Sequence, residues 1–210
     1  MRQINIFVSC SHLDINWISE SSSRPLIPWL AANLQKNYAS VWYDHVLKQS
    51  TSEEYKRKIK AEIDAAHIAV LLISQNYAHS DFISEYELPW IKERVNAREL
   101  IIVPVLVEPT ECGSEPHLKW IFEHQMLPGE PTPLINYTND KAAFLRIKLE
   151  ILEAIRNQID QLRDYPIYQH DTISAKASQG PSSRSLLLWI SIILITLLTI
   201  VLILVLKQSF

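Results

Sequence analysis

Glycine is scarce in this chain of 210 residues, and its distribution excludes two kinds of nucleotide site. The glycines are Gly113, Gly129 and Gly180, so none occurs in the first 112 residues. A Walker-type phosphate loop and a G-x-G-x-x-G turn both need glycine where the backbone approaches phosphate, so neither fits in that stretch. Cysteine is equally rare: Cys10 and Cys112 cannot form a disulfide framework, and a reducing compartment is therefore expected.

The chain also lacks a surplus of basic residues. It has 20 Lys and Arg against 23 Asp and Glu, a formal net charge of −3. Nucleic-acid-binding domains usually carry a basic excess on one face, so no nucleic acid is expected as a partner. A composition of 48% apolar and 20% charged residues excludes a disordered or fibrous chain. The length fits one ordinary domain with an appendage.

Charge is missing from one long run near the C-terminus. Residues 186–206 read LLLWISIILITLLTIVLILVL. As a helix this run spans about 31 Å, close to the roughly 30 Å of bilayer hydrocarbon. Arg184 and Lys207 bracket it and Trp189 lies near its start, as interfacial anchors do. The run predicts a transmembrane helix, the alternative being a buried hairpin or oligomer core. Without charges or a G-x-x-x-G seam, a polar pore is disfavoured.

Polar segments flank this run. Residues 164–185 contain two prolines, a glycine and five serines, which predicts a flexible linker, and residues 207–210 form a short tail. The N-terminus has no long apolar signal region. We therefore expect residues 1–163 to form one soluble domain in the cytoplasm, held by a single-pass tail anchor.

Within residues 1–163, short apolar runs alternate with helical patterns. The predicted strands are residues 4–8, 40–43, 67–74, 100–107 and a weak fifth at 134–137. The predicted helices are residues 25–36, one capped by Thr51 in a capping box with Glu54, 81–97, 117–123 and 140–163. This alternation predicts a five-stranded, flavodoxin-like α/β domain with a parallel sheet of order 2-1-3-4-5.

In such a sheet, ligands bind at the carboxyl ends of the strands where the strand order reverses. Here the reversal lies between the first and third strands, so the relevant loops are residues 9–14 and 75–81. The helix that begins at Asp81 delivers its first two turns to the same crevice.

That helix carries two candidate carboxylates. On the helical period, Glu87 lies at the edge of the apolar face, near Ile83, Trp90 and Ile91, whereas Glu85 points about 160° away. Glu87 is thus the carboxylate expected to be shielded from water, either as a functional acid or as the partner of a Lys or Arg. Pro89 removes one helix hydrogen bond and can kink the helix.

Other reactive side chains carry less information. Cys10 fits a nucleophile or, more often, a small buried residue. His12, His45 and His79 lie near the strand ends, where a lone His is usually polar surface. Cys112, His117 and His124 match no common zinc spacing, so no metal is expected.

Four segments resemble the boxes of Toll/interleukin-1 receptor (TIR) domains, in order and at the right spacing over about residues 3–160. Residues 7–14, FVSCSHLD, resemble the first box, F-I-S-Y-S-x-x-D, and residues 41–44, VWYD, resemble the second-strand signature. Residues 67–77, with 80–82 and 87–89, resemble the third strand and helix αC of bacterial members. Residues 102–105 fit the fourth strand.

The resemblance implies a flavodoxin-like fold and an activity. Many bacterial and plant members, and some animal ones, cleave NAD⁺ at the nicotinamide–ribose bond and need a glutamate of helix αC. A carboxylate can stabilise the oxocarbenium-like ribosyl cation, and nicotinamide leaves neutral, so no general acid is required. The resemblance implies that Glu87 is catalytic, with Glu85 as the alternative. It implies a substrate-stacking ring at Phe82, and substrate contacts at Ser9, Cys10, Ser11, Trp42 and Asp44. NAD⁺ is the substrate, with no further cofactor.

Two departures from the family pattern keep a second function open. The BB loop, which commonly carries glycine, has none in residues 47–51. The usual helix motif is W-x-x-x-E, but here Phe82 replaces Trp, Tyr86 takes the strictly spaced position and Glu87 comes one residue later. The first hypothesis is an NAD⁺ glycohydrolase or cyclase in signalling or immune defence, activated by clustering with other TIR domains at a membrane. The second is a non-catalytic adaptor that docks other TIR domains.

Overall fold

The computed structural model describes residues 3–35, 39–44, 52–111, 115–129 and 132–164. Residues 47–51 of the BB loop, the predicted transmembrane helix 186–206 and the tail 207–210 lie outside these ranges. So does the predicted linker, apart from Asp164, which ends the last helix. No helix in the described ranges is both long and apolar enough to cross a membrane.

Four parallel strands form the sheet, in the order β2-β1-β3-β4. The strands are β1 (Ile4–Ser9), β2 (Ala39–Trp42), β3 (Ile68–Ile73) and β4 (Ile101–Leu106). Ile6 of β1 pairs with Val41 of β2 on one side and Ile68 of β3 on the other, which sets the register of these three strands. The strand reversal between β1 and β3 therefore lies where the sequence predicts it.

The predicted fifth strand is wrong, because residues 134–137 form a 3₁₀ helix, Leu134–Tyr137. The N–H groups of Asn136 and Thr138 close local turns by donating to the carbonyls of Pro133 and Ile135. The N–H of Ile135 donates to the carbonyl of Val107, just beyond β4, so one contact with this edge of the sheet remains. The free edge of β4 is instead covered at one point by an isolated parallel bridge between Val105 and Leu127. The sheet thus has four strands in the described residues rather than the five predicted.

Helices cover the two faces of the sheet. They are α1 (Ile15–Ile18), α2 (Ile27–Gln35), α3 (Glu53–Ala65), α4 (Gln75–Ala78), α5 (Leu88–Asn96) and α6 (Lys141–Asp164), with a 3₁₀ helix at Lys119–Glu123. All six residues of β3 are buried, because α3 and α5 pack as one layer while α2 and α6 contact each other in a second.

Both ends of α3 are capped by side chains. The N-cap is Ser52, whose Oγ accepts a 3.2 Å hydrogen bond from the N–H of Tyr55, so the predicted cap at Thr51 is one residue too early. At the other end, the Arg94 guanidinium of α5 donates to the carbonyls of Ile63 and Ala66. These bonds place a cationic donor on carbonyls at the C-terminal end of α3, and they fix α3 against α5.

Candidate functional site

Asp14 joins the two loops that form the predicted crevice. It follows β1, is buried, and accepts hydrogen bonds from Ser74 Oγ at 2.6 Å and Asn76 Nδ2 at 2.8 Å, both just after β3. Ser74 Oγ also accepts from the N–H of Tyr77 and so caps α4. Burial raises the pKa of Asp14, while its two side-chain hydrogen bonds act in the opposite direction. The carboxyl ends of β1 and β3 are thereby held together.

The helix that enters the crevice contains a π-helical turn at Ile83–Glu87, where the sequence predicts a continuous α-helix. The N–H of Leu88 donates to the carbonyl of Ile83, five residues back. Pro89 explains the position of this turn: proline has no N–H, and in an α-helix its ring would clash with the carbonyl of Glu85. Such turns recur at functional sites.

The π-helical turn has a consequence for the spacing of Phe82 and Glu87. In an α-helix, residues three or four apart in the sequence lie on the same side. In a π-helical turn, which is closed by a hydrogen bond five residues back, each turn contains about one more residue, so residues five apart come to the same side. Phe82 and Glu87 are five residues apart in the sequence, one more than the W-x-x-x-E spacing. The extra residue therefore lies within the widened turn and does not shift Glu87 to the opposite side of the helix.

Glu87 is the buried carboxylate of this helix, only 6% exposed, whereas Glu85 is exposed, as the helical pattern predicts. Ser9 Oγ, at the end of β1, donates a 2.5 Å hydrogen bond to Glu87 Oε2. Burial raises the pKa of Glu87 to about 7; the negative charge of Asp44 adds to this rise, and the bond from Ser9 opposes it. Glu87 is thus an acid that ionises near neutral pH.

Asp44 lies two residues beyond β2 and is half-buried. The Tyr55 hydroxyl of α3 donates a 2.7 Å hydrogen bond to Asp44 Oδ2. The pKa of Tyr55 is raised by burial first, then by this bond and by the negative charges of Asp44 and Glu87. Two carboxylates and a neutral phenol thus occupy the same end of the sheet.

Phe82 begins a row of aromatic rings along α3 and α5. Its ring centroid lies 5.3 Å from that of Tyr55 and 5.4 Å from that of Tyr86, which in turn lies 5.8 Å from Trp90. Lys56 Nζ lies 4.3 Å from the centre of the Tyr86 ring. Phe82 is half-buried, so part of its ring remains accessible beside Tyr55.

Two of the predicted substrate residues, Cys10 and Ser11, have environments that limit their chemistry. Cys10 is half-buried, and burial together with the charges of Glu87, Asp14 and Asp44 raises the pKa of its thiol, so a nucleophilic thiolate is disfavoured. Ser11 is buried, and its Oγ accepts a 3.3 Å hydrogen bond from the N–H of Leu13 within the loop.

Trp42 stacks on a buried ring of the core. Its centroid lies 5.4 Å from that of Phe7, with the planes 10° apart, so one face of its indole is used in packing. Ser9, Cys10 and Asp44 are therefore the predicted residues most closely connected to Glu87, through a hydrogen bond in the first case and through charge in the other two.

No group of three or more His, Cys, Asp or Glu side chains in the described part of the chain is arranged to hold a metal ion. Of the three residues considered as ligands, Cys112 lies outside that part. His117 Nε2 lies 3.1 Å from the carbonyl oxygen of Ala78.

Sequence reasoning did not single out Tyr77 or Tyr55 as site residues. The Tyr77 hydroxyl lies 3.1 Å from Ser9 Oγ, and both side chains are fully buried. The signal for Tyr77 was its place in the loop after β3, which ends beside β1. Tyr55 packs against the core on the same side of α3 as Ile59 and Ile63, a position that indicates packing rather than a polar role.

Comparison with known proteins identifies the family. Residues 6–134, more than half of the chain, match the family model described as the TIR domain. This chain therefore belongs to the TIR domain family.

Individual relatives are distant. The chain is 23% identical over 150 residues to the uncharacterized protein y4lF of Sinorhizobium fredii strain NGR234; the match covers 71% of this chain but only 43% of that protein. The TIR domains of the activated Roq1 resistosome, which recognises the pathogen effector XopQ, superpose with a TM-score of 0.39 at 24% identity, covering 74% of this chain and 84% of that one. The RPS4 and RRS1 TIR domain heterodimer superposes with a TM-score of 0.46 at 12% identity, and the match covers 75% of this chain and 98% of that one.

Proposed function

We propose that this TIR domain cleaves the bond between nicotinamide and ribose in NAD⁺, with Glu87 as the catalytic carboxylate. The observation that carries the proposal is the burial of Glu87 at the reversal between β1 and β3, where it receives a hydrogen bond from Ser9. Ligands of open parallel sheets bind at such a reversal. A shielded carboxylate interacts more strongly with charge that develops next to it than a solvated one does.

The chemistry requires little more than this carboxylate. When the bond between C1′ and the nicotinamide nitrogen breaks, its electron pair leaves with nicotinamide, which becomes neutral, and positive charge develops on the ribose. Ionised Glu87 stabilises that cation. Water then adds to C1′ and loses a proton, which gives ADP-ribose; attack by another atom of the same molecule would give a cyclic product.

Residues around Glu87 supply candidate substrate contacts. We assign Phe82 to stacking, because its half-buried ring lies beside Tyr55 at the start of the aromatic row. We assign Asp44 to the ribose hydroxyls, because a half-buried carboxylate can accept their hydrogen bonds and Tyr55 fixes its position. Cys10 and Trp42 are assigned to the wall of the crevice.

The matched pair Glu87→Gln and Glu85→Gln tests this proposal. Both substitutions keep shape and remove one charge, but Glu87 is buried and Glu85 is exposed. We expect nicotinamide release to fall at least about 100-fold in Glu87→Gln, the scale of losing one key electrostatic stabiliser, and to change little in Glu85→Gln. Circular dichroism of both variants checks the fold. If the wild-type protein releases no nicotinamide, the proposal fails and the adaptor hypothesis takes its place.

We propose further that the domain lies in the cytoplasm, is anchored to a membrane by residues 186–206, and acts in clusters with other copies. One observation and one physical argument support clustering. Leu145 and Leu149 lie one turn apart on α6 and are both 49% exposed, which leaves an apolar patch on that helix. A shared membrane raises the effective concentration of neighbouring domains without new contacts. Activity per molecule should therefore be higher on crowded liposomes than in dilute detergent, and equal rates would exclude activation by clustering.

A further inference from the structure

Three buried side chains on three different elements form a chain of hydrogen bonds that ends at Glu87. Ser9 ends β1, Tyr77 lies in α4, and Glu87 ends the π-helical turn. We infer that Tyr77, acting through the hydroxyl of Ser9, is a positioning residue that holds the Glu87 carboxylate in the state that accepts a hydrogen bond. This inference rests on the proposed function of Glu87.

When Glu87 is ionised, counting hydrogens fixes the direction of the chain. The Ser9 hydroxyl has one proton, and it donates that proton to Glu87 Oε2 at 2.5 Å. Ser9 Oγ must then accept from the Tyr77 hydroxyl, which lies 3.1 Å away. Hydrogen bonds arranged in this way polarise one another and strengthen the terminal bond to the carboxylate.

Burial makes this chain hard to replace with water. Ser9 is 1% exposed and Tyr77 0%. The N–H of Tyr77 is held by Ser74 Oγ, which also donates to Asp14, so the segment that carries the tyrosine is fixed against the loop after β1. Because its proton is directed at Glu87, the Ser9 hydroxyl acts on the carboxylate rather than on a substrate.

In the part of the chain that the structure describes, the other groups around Glu87 do not stabilise its ionised form. Asp44 after β2 is negative and favours protonation of Glu87. Cys10 after β1 and Tyr55 of α3 have raised pKa values and are neutral at pH 7. Among the described residues no Lys, Arg or His forms an ion pair with Glu87. The bond from Ser9 is therefore the contact that favours the ionised form.

Two measurements on the full-length chain in detergent test the inference, using Ser9→Ala, Tyr77→Phe and the control Tyr137→Phe. Tyr137 lies in the 3₁₀ helix before α6, so its substitution removes a phenol hydroxyl outside the hydrogen-bond chain. The first measurement is the pH titration of the Glu87 carboxyl carbon by NMR with ¹³C-labelled glutamate, assigned by the signal that Glu87→Gln removes. The second is nicotinamide release as a function of pH.

We expect Ser9→Ala to raise the pKa of Glu87 by about one to two units, the scale of a hydrogen bond to a charged group. Tyr77→Phe should raise it less, in the same direction, and Tyr137→Phe should not change it. A one-unit rise reduces the ionised fraction at pH 7 from about one half to about one tenth, so release should fall about fivefold there and recover near pH 9. Recovery at high pH separates this role from damage to the fold.

Equal titrations in wild type and Tyr77→Phe would overturn the inference for Tyr77, whatever the activity of the protein. Equal titrations in wild type and Ser9→Ala would overturn it completely. If wild type releases no nicotinamide but both substitutions raise the pKa as expected, the proposed function fails while the hydrogen-bond chain is supported.

Discussion

The Tyr55 hydroxyl and Asp44 Oδ2 lie 2.7 Å apart and hold a second carboxylate beside the one on the helix. The negative charge of Asp44 raises the pKa of Glu87. Two carboxylates near one crevice thus have different environments: Glu87 is buried and receives a bond from Ser9, whereas Asp44 is half-buried and receives one from a phenol. This difference leads to opposite expectations for neutralising Asp44 and for removing Ser9.

Asp44→Asn should lower the pKa of Glu87, because it removes a like charge. The acidic limb of nicotinamide release should move to lower pH by less than about one unit, since burial rather than Asp44 is the main cause of the raised pKa. Tyr55→Phe keeps the charge of Asp44, so it should shift the acidic limb of nicotinamide release less than Asp44→Asn does. An acidic limb that moves to higher pH in Asp44→Asn would contradict the electrostatic account.

Burial of Glu87 should make the fold less stable as the pH rises. The pKa of Glu87 is about 7 in the folded chain against an ordinary value of 4.5, so between these values the folded state binds more protons than the unfolded state. The free energy of unfolding therefore falls through this window, by about 3 kcal/mol for this group.

Denaturant unfolding of wild type and Glu87→Gln at about pH 4.5 and about pH 8 measures this effect. Asp14 also has a raised pKa and contributes a slope of the same sign, but it is present in both proteins. The difference between the two proteins thus isolates Glu87, and Glu87→Gln should gain stability relative to wild type at the higher pH. If the difference in the free energy of unfolding between the two proteins were the same at both pH values, Glu87 would not be desolvated in solution.

Much of the fold follows from the sequence because its signals are local. The apolar run in residues 67–74 defined β3, and the helical period separated buried Glu87 from exposed Glu85. The four observed strands begin and end within one residue of their predicted bounds. The predicted fifth strand is wrong because apolar character alone does not distinguish a short strand from a short helix. Residues 134–137 are apolar enough for a strand, but bonds back to Pro133 and Ile135 close 3₁₀ turns.

The site was only partly predictable, for two physical reasons. A period of 3.6 residues per turn is assumed when a helix is inferred from sequence, so the π-helical turn Ile83–Glu87 had no signature except Pro89. The bond between Tyr77 and Ser9 joins residues 68 positions apart, and no local pattern reports such a pair. The strand reversal between β1 and β3 was predictable, but the hydrogen bonds beside it were not.

Lys148 provides a test of packing away from the crevice. It lies on α6, is 8% exposed, and its Nζ is 4.4 Å from the centre of the Trp29 ring and 5.2 Å from that of Phe144. Among the described residues no Asp or Glu pairs with it, and its pKa is lowered by burial. The unfolded chain therefore binds this proton more readily, and stability should rise as the pH approaches the ordinary value of 10.5.

Lys148→Met keeps the length of the side chain and removes the charge. We expect it to keep or raise the free energy of unfolding at pH 7 and to abolish the rise toward pH 10.5, because a desolvated cation is replaced by an apolar chain. Lys148→Glu places an anion against two aromatic rings and should cost at least about 2 kcal/mol. If Lys148→Met lowered the free energy of unfolding more than Lys148→Glu did, the contacts of the ammonium with Trp29 and Phe144 would outweigh the cost of burying its charge.

Residues 186–206 have the sequence of a membrane anchor. The run has no charge and is long enough as a helix to span the hydrocarbon of a bilayer, whereas α6 keeps charged residues along its length. We expect the full-length protein to sediment with membranes and to resist extraction by carbonate, and residues 186–206 fused to a soluble reporter to do the same. A fragment of residues 1–163 should stay in the supernatant. A full-length protein in the supernatant would exclude the anchor. A membrane-bound 1–163 fragment would show that the domain itself binds membranes. Leu13 and Ile15, which are exposed after β1, would then be the first residues to substitute.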